Sequence, residues 1–269
     1  MYVVGQSADN SAIPVASYLL VTLLGLGAGV LVNWLADLVD GDESPPWRAA
    51  NCKQCGKPIP ASRLIPFYGF SRQQRACAAC GAPASVRRPS LPLALALLFP
   101  LLLAHLLDPT TSTRIAPLGV WVIDAIGFTI LAFIFAVDLE HHIILDIAVY
   151  PLIAALIGAA LVFNHKAFAG MGIGLVIFGG LFLILYGAGY LIYHEEALGF
   201  GDVKLAALVG MLVGWQGTAT ALIIIALLGA AFSALALGTG AKTARQYIPY
   251  GVFLASGTAL TLLLAPPLW

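Results

Sequence analysis

Long apolar runs recur along the whole chain and are separated by short polar stretches. A helix of about 20 apolar residues crosses a hydrocarbon core of roughly 30 Å, because each residue adds about 1.5 Å of rise. The pattern therefore predicts an all-α polytopic membrane protein with about eight transmembrane helices. The predicted spans are 14–36, 91–107, 116–137, 145–163, 170–193, 204–214, 217–238 and 249–268.

The segment 204–214 is short, and Gly214 with Trp215 predicts a tight turn into the next span. If 204–238 formed a single broken helix, the count would be seven. The first run is long and lacks a basic leader, which favours a true span over a cleavable signal peptide.

Composition and charge support this interpretation. The 269 residues are 60% hydrophobic and 10% charged, which lies outside the range of soluble domains. The formal net charge is zero, which gives no bias toward nucleic acid as a partner. The apolar spans indicate the lipid bilayer as a partner. Of the 13 lysines and arginines, 11 fall on one side of the predicted topology, which is therefore the cytoplasmic side. Only Arg114 and Lys166 fall on the other side.

One sizeable polar segment, 37–90, separates the N-terminus and first helix (1–36) from the remaining spans (91–269). It holds all four cysteines, in "CKQCG" and "CAACG", with 21 residues between the pairs. Four thiolates at this spacing favour a closed tetrahedral zinc site with a structural role, which would stabilise a small cytoplasmic module. Disulfides or free thiols are the alternative, although thiols stay reduced in the cytoplasm. The cysteines are Cys52, Cys55, Cys77 and Cys80.

Carboxylates near the spans are few, and an ionisable residue at membrane depth is a functional candidate. The topology places Asp138 and Asp202 at the same cytoplasmic edge, 64 residues apart in sequence. Two converging carboxylates can share one proton, so that one serves as a base for water and the other as an acid for a carbonyl. Gly199 and Gly201 leave room for an extended substrate backbone beside Asp202. The pattern predicts aspartic-protease chemistry.

Plainer interpretations of these carboxylates exist. Asp202 can be read as a helix N-cap and Asp138 as a solvated boundary residue. Asp124 lies about 21 Å along the helix from Asp138, too far to join the pair, and is predicted to form a helix–helix hydrogen bond.

Several segments match a family pattern: "EALGFGDVKLAALVGMLVGWQ", "VDLEHHIILD", "IPYGVFLASG", "GLGAGVLVN" and the paired CxxC module. Over nearly its whole length the chain resembles the bacterial type IV prepilin peptidases, polytopic aspartic proteases of the GxGD class. The resemblance implies that Asp138 and Asp202 are catalytic and that Glu196 and Lys204 contact the substrate near Asp202.

The resemblance also implies a substrate and a location. Members cleave the short basic leader of prepilins or pseudopilins after a glycine, at the cytoplasmic side of the bacterial inner membrane, and the cleavage site adjoins an apolar helix of the substrate. Many then methylate the new N-terminus with S-adenosylmethionine.

The chain departs from the family pattern at three places. Leu145 replaces a proline before Asp146, and Leu38 stands where an arginine is usual. "RRPSLPLA" lacks the expected Tyr-Pro and a glutamate linked to methyl transfer. The sequence thus predicts a peptidase with little or no methyltransferase activity, needing S-adenosylmethionine only if that activity is present.

Two other classes of protein compete with the peptidase. One is a non-enzymatic, zinc-stabilised component of a secretion or pilus machine, in which an amide at Asp202 would be harmless. The other is a transporter with Asp124, Asp138 and Asp202 as a proton relay, but this class predicts inverted repeats, and the sequence shows none.

Overall fold

The protein is built from α-helices. The computed structural model describes residues 15–39, 52, 55–57, 77, 79–81, 87–108, 111, 116–193, 198–238 and 249–264. Within these residues the elements are α1 (Val15–Val39), α2 (Arg87–Leu107), α3 (Pro117–His141), α4 (Asp146–Phe163), α5 (His165–Tyr193), α6 (Phe200–Gly238) and α7 (Tyr250–Leu264). The predicted all-α class is confirmed.

Six of these helices, α1 to α6, are long and apolar enough to cross a membrane, and α7 is a shorter apolar helix. Large apolar side chains on them point away from the protein, as lipid-facing residues do: Leu23, Ile147 and Val176 are each more than 60% exposed. The predicted spans correspond to these helices, and the second begins earlier than predicted, at Arg87.

Helix α6 contains a reversal at Gly214, where φ is 61° and ψ is −178°. Such backbone angles are open essentially only to glycine. Asp138 lies beside Asp202, at the start of α6, and beside the first turn of α7. The ring of Phe232 packs on Phe253 at that same end of α7, with 5.4 Å between ring centroids. A straight helix would separate residues 202 and 232 by about 45 Å, so α6 folds back at Gly214. Its two halves are 200–213 and 215–238.

Glycines allow the helix backbones to approach closely. A Cβ added at Gly29 of α1 would collide with the backbone of Pro92 on α2. Gly174 of α5 and Gly210 of α6 face each other, and a Cβ on either would collide with the other's carbonyl. Such small-residue contacts are the usual basis of helix association in lipid. They hold α5 against the half of α6 that supplies Asp202.

Gly174→Val should destabilise the protein by about 1–3 kcal/mol, because the added side chain overpacks the contact between α5 and α6. Gly172→Val is the matched control, since a Cβ there meets nothing within 4 Å. Thermal unfolding of both variants in detergent measures the difference. Equal midpoints would show that the close contact contributes nothing.

Candidate active site and metal centre

Asp138 occupies the last turn of α3 and is only 2% exposed. Its Oδ2 accepts a hydrogen bond from the backbone N–H of Val252 at 3.0 Å, in the first turn of α7. A helix N-terminus favours negative charge, so α7 is oriented to stabilise this carboxylate. Gly251 permits the approach, because a Cβ there would lie 2.7 Å from Oδ2. Asp138 is therefore not a solvated boundary residue.

Asp202 lies in the first turn of α6 and is 3% exposed. Its N–H donates to the carbonyl of Gly199 at 3.0 Å. Because α6 begins at Phe200, Asp202 is its third residue and not its N-cap. The side chain is close enough to Asp138 for the two carboxylates to interact electrostatically. The structure therefore brings together the two aspartates that the sequence predicts to converge.

The segment between α3 and α4 packs against the start of α6. A Cβ at Gly201 would lie 3.2 Å from Cβ of Ile144, so this glycine is in tight contact. The predicted roles of Gly199 and Gly201 in substrate binding remain predictions. Helix α4 begins at Asp146 although Leu145 replaces the expected proline.

Lys204 is held by an acidic partner. Its Nζ lies 2.8 Å and 3.0 Å from the two carboxylate oxygens of Asp146. The same ammonium group lies 5.4 Å from the ring centroid of Phe200 and 5.7 Å from that of Tyr150. Lys204 thus ties α6 to α4, and its contact with substrate remains a prediction. Glu196, the other predicted substrate contact, lies outside the described residues.

A buried arginine joins three helices, α1, α2 and α3. Arg87 of α2 is 5% exposed and donates to Asp37 of α1 at 2.6 Å and to Glu140 of α3 at 3.1 Å. It also donates to the carbonyl of Asn33 at 3.2 Å, while Arg88 pairs with Asp37 at 3.2 Å. In the sequence, Arg87 counts only as one of the 11 positive charges that set the predicted orientation. Its burial between two acids could not be read from the pattern of residues.

Asp124 is separate from this edge. It is 3% exposed within α3 and has no hydrogen bond to any residue that the structure describes. The predicted helix–helix hydrogen bond is therefore not seen in the described part of the chain. Its distance of about 21 Å along α3 from Asp138 keeps it out of the carboxylate pair.

The four cysteines converge as a candidate metal site. Their sulfur atoms all lie within 4.8 Å of one another, with 3.6 Å between Cys52 and Cys80 and 3.7 Å between Cys55 and Cys77. A tetrahedral ion with bonds of about 2.3 Å to sulfur places the sulfurs about 3.8 Å apart. A disulfide needs about 2.0 Å, so these are four free thiols with the geometry for a metal ion.

The two cysteine pairs have matching backbones. The N–H of Gly56 donates to the carbonyl of Cys52, and that of Gly81 to the carbonyl of Cys77, both at 2.8 Å. Both glycines have positive φ, 66° and 72°, which glycine adopts without steric cost. Backbone N–H groups of Ala79 and Cys80 lower the pKa of the Cys77 thiol to about 6, which favours the thiolate that binds metal.

Comparison with known proteins defines the class. Residues 125–234 match the model of the type IV leader peptidase family, and residues 23–106 match that of the bacterial peptidase A24 N-terminal domain. The aspartate pair lies within the first match and the four cysteines within the second. No solved structure matches the chain.

Relatives with similar sequences carry one shared name. The chain is 30% identical to the prepilin leader peptidase/N-methyltransferase of Aeromonas hydrophila, over 83% of this chain and 76% of that protein. It is 27% identical to the protein of the same name from Pseudomonas aeruginosa, over 93% of this chain and 91% of that protein. A third, from Burkholderia pseudomallei strain K96243, is 28% identical over 98% of this chain and 91% of its own length. The chain therefore belongs to the type IV leader peptidase family, as its resemblance implied.

Proposed function

We propose that the protein is an aspartic endopeptidase that cleaves the basic leader of type IV prepilins or pseudopilins after a glycine. The observation that supports this most strongly is that two buried carboxylates, from Asp138 and Asp202, lie close enough to interact electrostatically at one edge of a membrane-spanning bundle. Membership of the leader peptidase family supports the same substrate class.

In this mechanism Asp138 and Asp202 share one proton. The ionised carboxylate takes a proton from water, whose oxygen attacks the scissile carbonyl, and the protonated carboxyl gives its proton to the carbonyl oxygen. On collapse of the tetrahedral intermediate, the hydroxyl on the former carbonyl carbon returns its proton to the carboxylate that supplied it and the C–N bond breaks. The amine leaves with the proton that the other carboxyl took from water, which restores the pair. The N–H of Val252 holds Asp138 in place throughout.

The edge that carries the aspartates faces the cytoplasm of a bacterial inner membrane in this proposal. The support is the distribution of lysine and arginine, 11 on that side against two on the other. A basic leader on that side needs acidic contacts. Since Asp37 and Glu140 are already paired with arginine, Glu196 is the better candidate for contact with the leader.

The three parts of the chain are 1–36, 37–90 and 91–269, and the last two have separate roles in this proposal. The last part supplies the peptidase, and the middle part holds one structural zinc ion on its four cysteines. Zinc suits a closed four-thiolate site and would contribute folding energy without taking part in peptide-bond hydrolysis.

Purified protein should contain close to one zinc per chain, and Cys77→Ser should lower that content sharply because a closed site loses one of its four ligands. Ala79→Ser is the control, since it changes the same turn without removing a sulfur. Elemental analysis of the three proteins gives the answer. Metal at background level in the wild type, or a metal other than zinc, would contradict the assignment.

The test of the peptidase itself uses liposomes that hold the enzyme and a full-length prepilin. The wild type should release the leader, and sequencing of the product should place the new N-terminus directly after the glycine. A folded, metal-loaded wild type that leaves the prepilin intact would overturn the proposal. Cleavage by Asp202→Asn at the wild-type rate would favour the non-enzymatic role of this carboxylate and another origin for the activity.

Methyl transfer is a second candidate function, because the relatives' shared name includes N-methyltransferase. Such a reaction needs a group to pair with the sulfonium of S-adenosylmethionine or to accept the proton of the substrate amine. At the ends of α1 and α3, Asp37 and Glu140 have such carboxylates, but both are bound by arginine.

The new pilin N-terminus should therefore stay largely unmethylated after incubation with this enzyme and S-adenosylmethionine. Mass spectrometry of the mature pilin measures the mass change, with a reaction lacking the donor as control. A stoichiometric gain of one methyl group that depends on this protein would show that the expectation is wrong.

A further inference from the structure

A cavity of about 320 Å³ opens between α2, α3, α7 and the second half of α6. Of its 13 lining residues, only Ser256 is polar. The Ser256 hydroxyl donates to the carbonyl of Val252 at 2.7 Å, so it is already satisfied within its own helix. We call this cavity the apolar groove. Since it offers little to a polar ligand, its occupant must be apolar.

The groove leads directly to the proposed catalytic edge. On α3, Phe135 and Leu131 line it, and they precede Asp138 by three and seven residues, which puts all three on neighbouring positions of one helix face. On α7, Ala255 lines it one turn after Val252, whose N–H binds Asp138. Both walls therefore run from the Asp138 carboxylate into the membrane.

We propose that the apolar groove binds the first turns of the apolar helix that follows the scissile bond in the substrate. This inference rests on the proposed function and names where the uncleaved part of that substrate docks. From Phe128 to Phe135 the groove extends about 10 Å along α3, close to two helical turns. A helix lying in an apolar groove presents side chains at i, i+3, i+4 and i+7, which suits a wall of this length.

Docking in the apolar groove would bring the scissile bond of the substrate to a buried carboxylate. Asp138 is 2% exposed, so a scissile bond must be guided to it. A substrate helix seated in the groove ends at the level of Asp138, and its leader then extends past the membrane edge. A lipid chain or a second copy of this protein would be alternative occupants, but neither accounts for a groove whose walls on α3 and α7 begin one turn from Asp138 and from its partner Val252.

Filling the groove tests the proposal kinetically. Ala132→Trp and Ala259→Trp place a large side chain in the groove and should raise KM for a full-length prepilin by about tenfold or more, with little change in kcat. A leader peptide that lacks the apolar segment should be cleaved equally by these variants and the wild type. Ala226→Trp is the control, because Ala226 is exposed on α6 and does not line the groove. An unchanged KM for the full-length prepilin would overturn the proposal.

A cross-linking experiment is independent of cleavage. The photoreactive amino acid benzoylphenylalanine at Leu260 or Leu98, in an Asp202→Asn background, should cross-link to the apolar segment of a bound prepilin. The same group at Leu227, which is 64% exposed to lipid, should not.

Together, the kinetic and cross-linking experiments distinguish failure of the groove proposal from failure of the proposed peptidase activity. Cross-links only to lipid or to a second copy, with normal cleavage by the wild type, would overturn the groove and leave the peptidase intact. Cross-links to the prepilin from an enzyme whose wild type does not cleave would support docking and refute the peptidase.

Discussion

Asp138→Asn and Asp202→Asn should each abolish prepilin cleavage, with a loss of about four orders of magnitude or more, and the double variant should be no worse than either single one. The reason is that the pair works as one unit. Asparagine keeps the shape of the side chain but can neither take a proton from water nor give one to the carbonyl oxygen. The rate constant in a reconstituted cleavage assay measures each loss.

Asp124→Asn provides a matched control for this prediction. It makes the same change at another buried aspartate of α3, about 21 Å along the helix from Asp138. Its turnover should stay near that of the wild type. Near-normal turnover in either Asp138→Asn or Asp202→Asn would refute the catalytic pair, and strong loss in Asp124→Asn would show that the assay reports disturbed folding.

Arg87→Met should destabilise the protein by about 3–5 kcal/mol, because Asp37 and Glu140 would lose a partner in a largely buried position. Methionine retains the length of the side chain, so the loss reports the charge and its hydrogen bonds. Unfolding in detergent with increasing denaturant measures the change.

Arg88→Met is the comparison for this change. Arg88 is more exposed and pairs with a single acid, Asp37 at 3.2 Å, among the residues that the structure describes, so its loss should cost less. Arg87→Lys should fall between the two, since lysine keeps the charge but cannot donate to both acids in the geometry of a guanidinium. Equal stability of Arg87→Met and Arg88→Met would contradict the central role of Arg87.

The sequence predicted the helices well because the membrane fixes their length and apolar character. The turn at Gly214 was also predictable, because the segment 204–214 is short and Gly214 with Trp215 separates it from the next apolar span. The topology also predicted that Asp138 and Asp202 lie at one edge of the bundle. For these features the topology is sufficient, and rotations of individual helices matter little.

Contacts that depend on helix rotation were not predictable. The N–H of Val252 donates to Asp138, which lies 114 residues earlier in the sequence. No periodic pattern indicates which residue of α7 faces Asp138. The burial of Arg87 was not predictable either, because a count of charges does not distinguish a buried arginine from a solvated one. The cysteine spacing predicted a metal site, but not that Cys52 and Cys80, from different pairs, would lie 3.6 Å apart.

The reversal at Gly214 leaves the first half of α6 only about 20 Å long, against a hydrocarbon core of roughly 30 Å. Gly214 is buried against α5, so its peptide groups are shielded from lipid, while the next residue, Trp215, is 54% exposed. The segment therefore carries a hydrophobic mismatch, which a bilayer relieves by thinning locally. Because this same segment supplies Asp202, the thickness of the surrounding lipid bears on the position of the carboxylate.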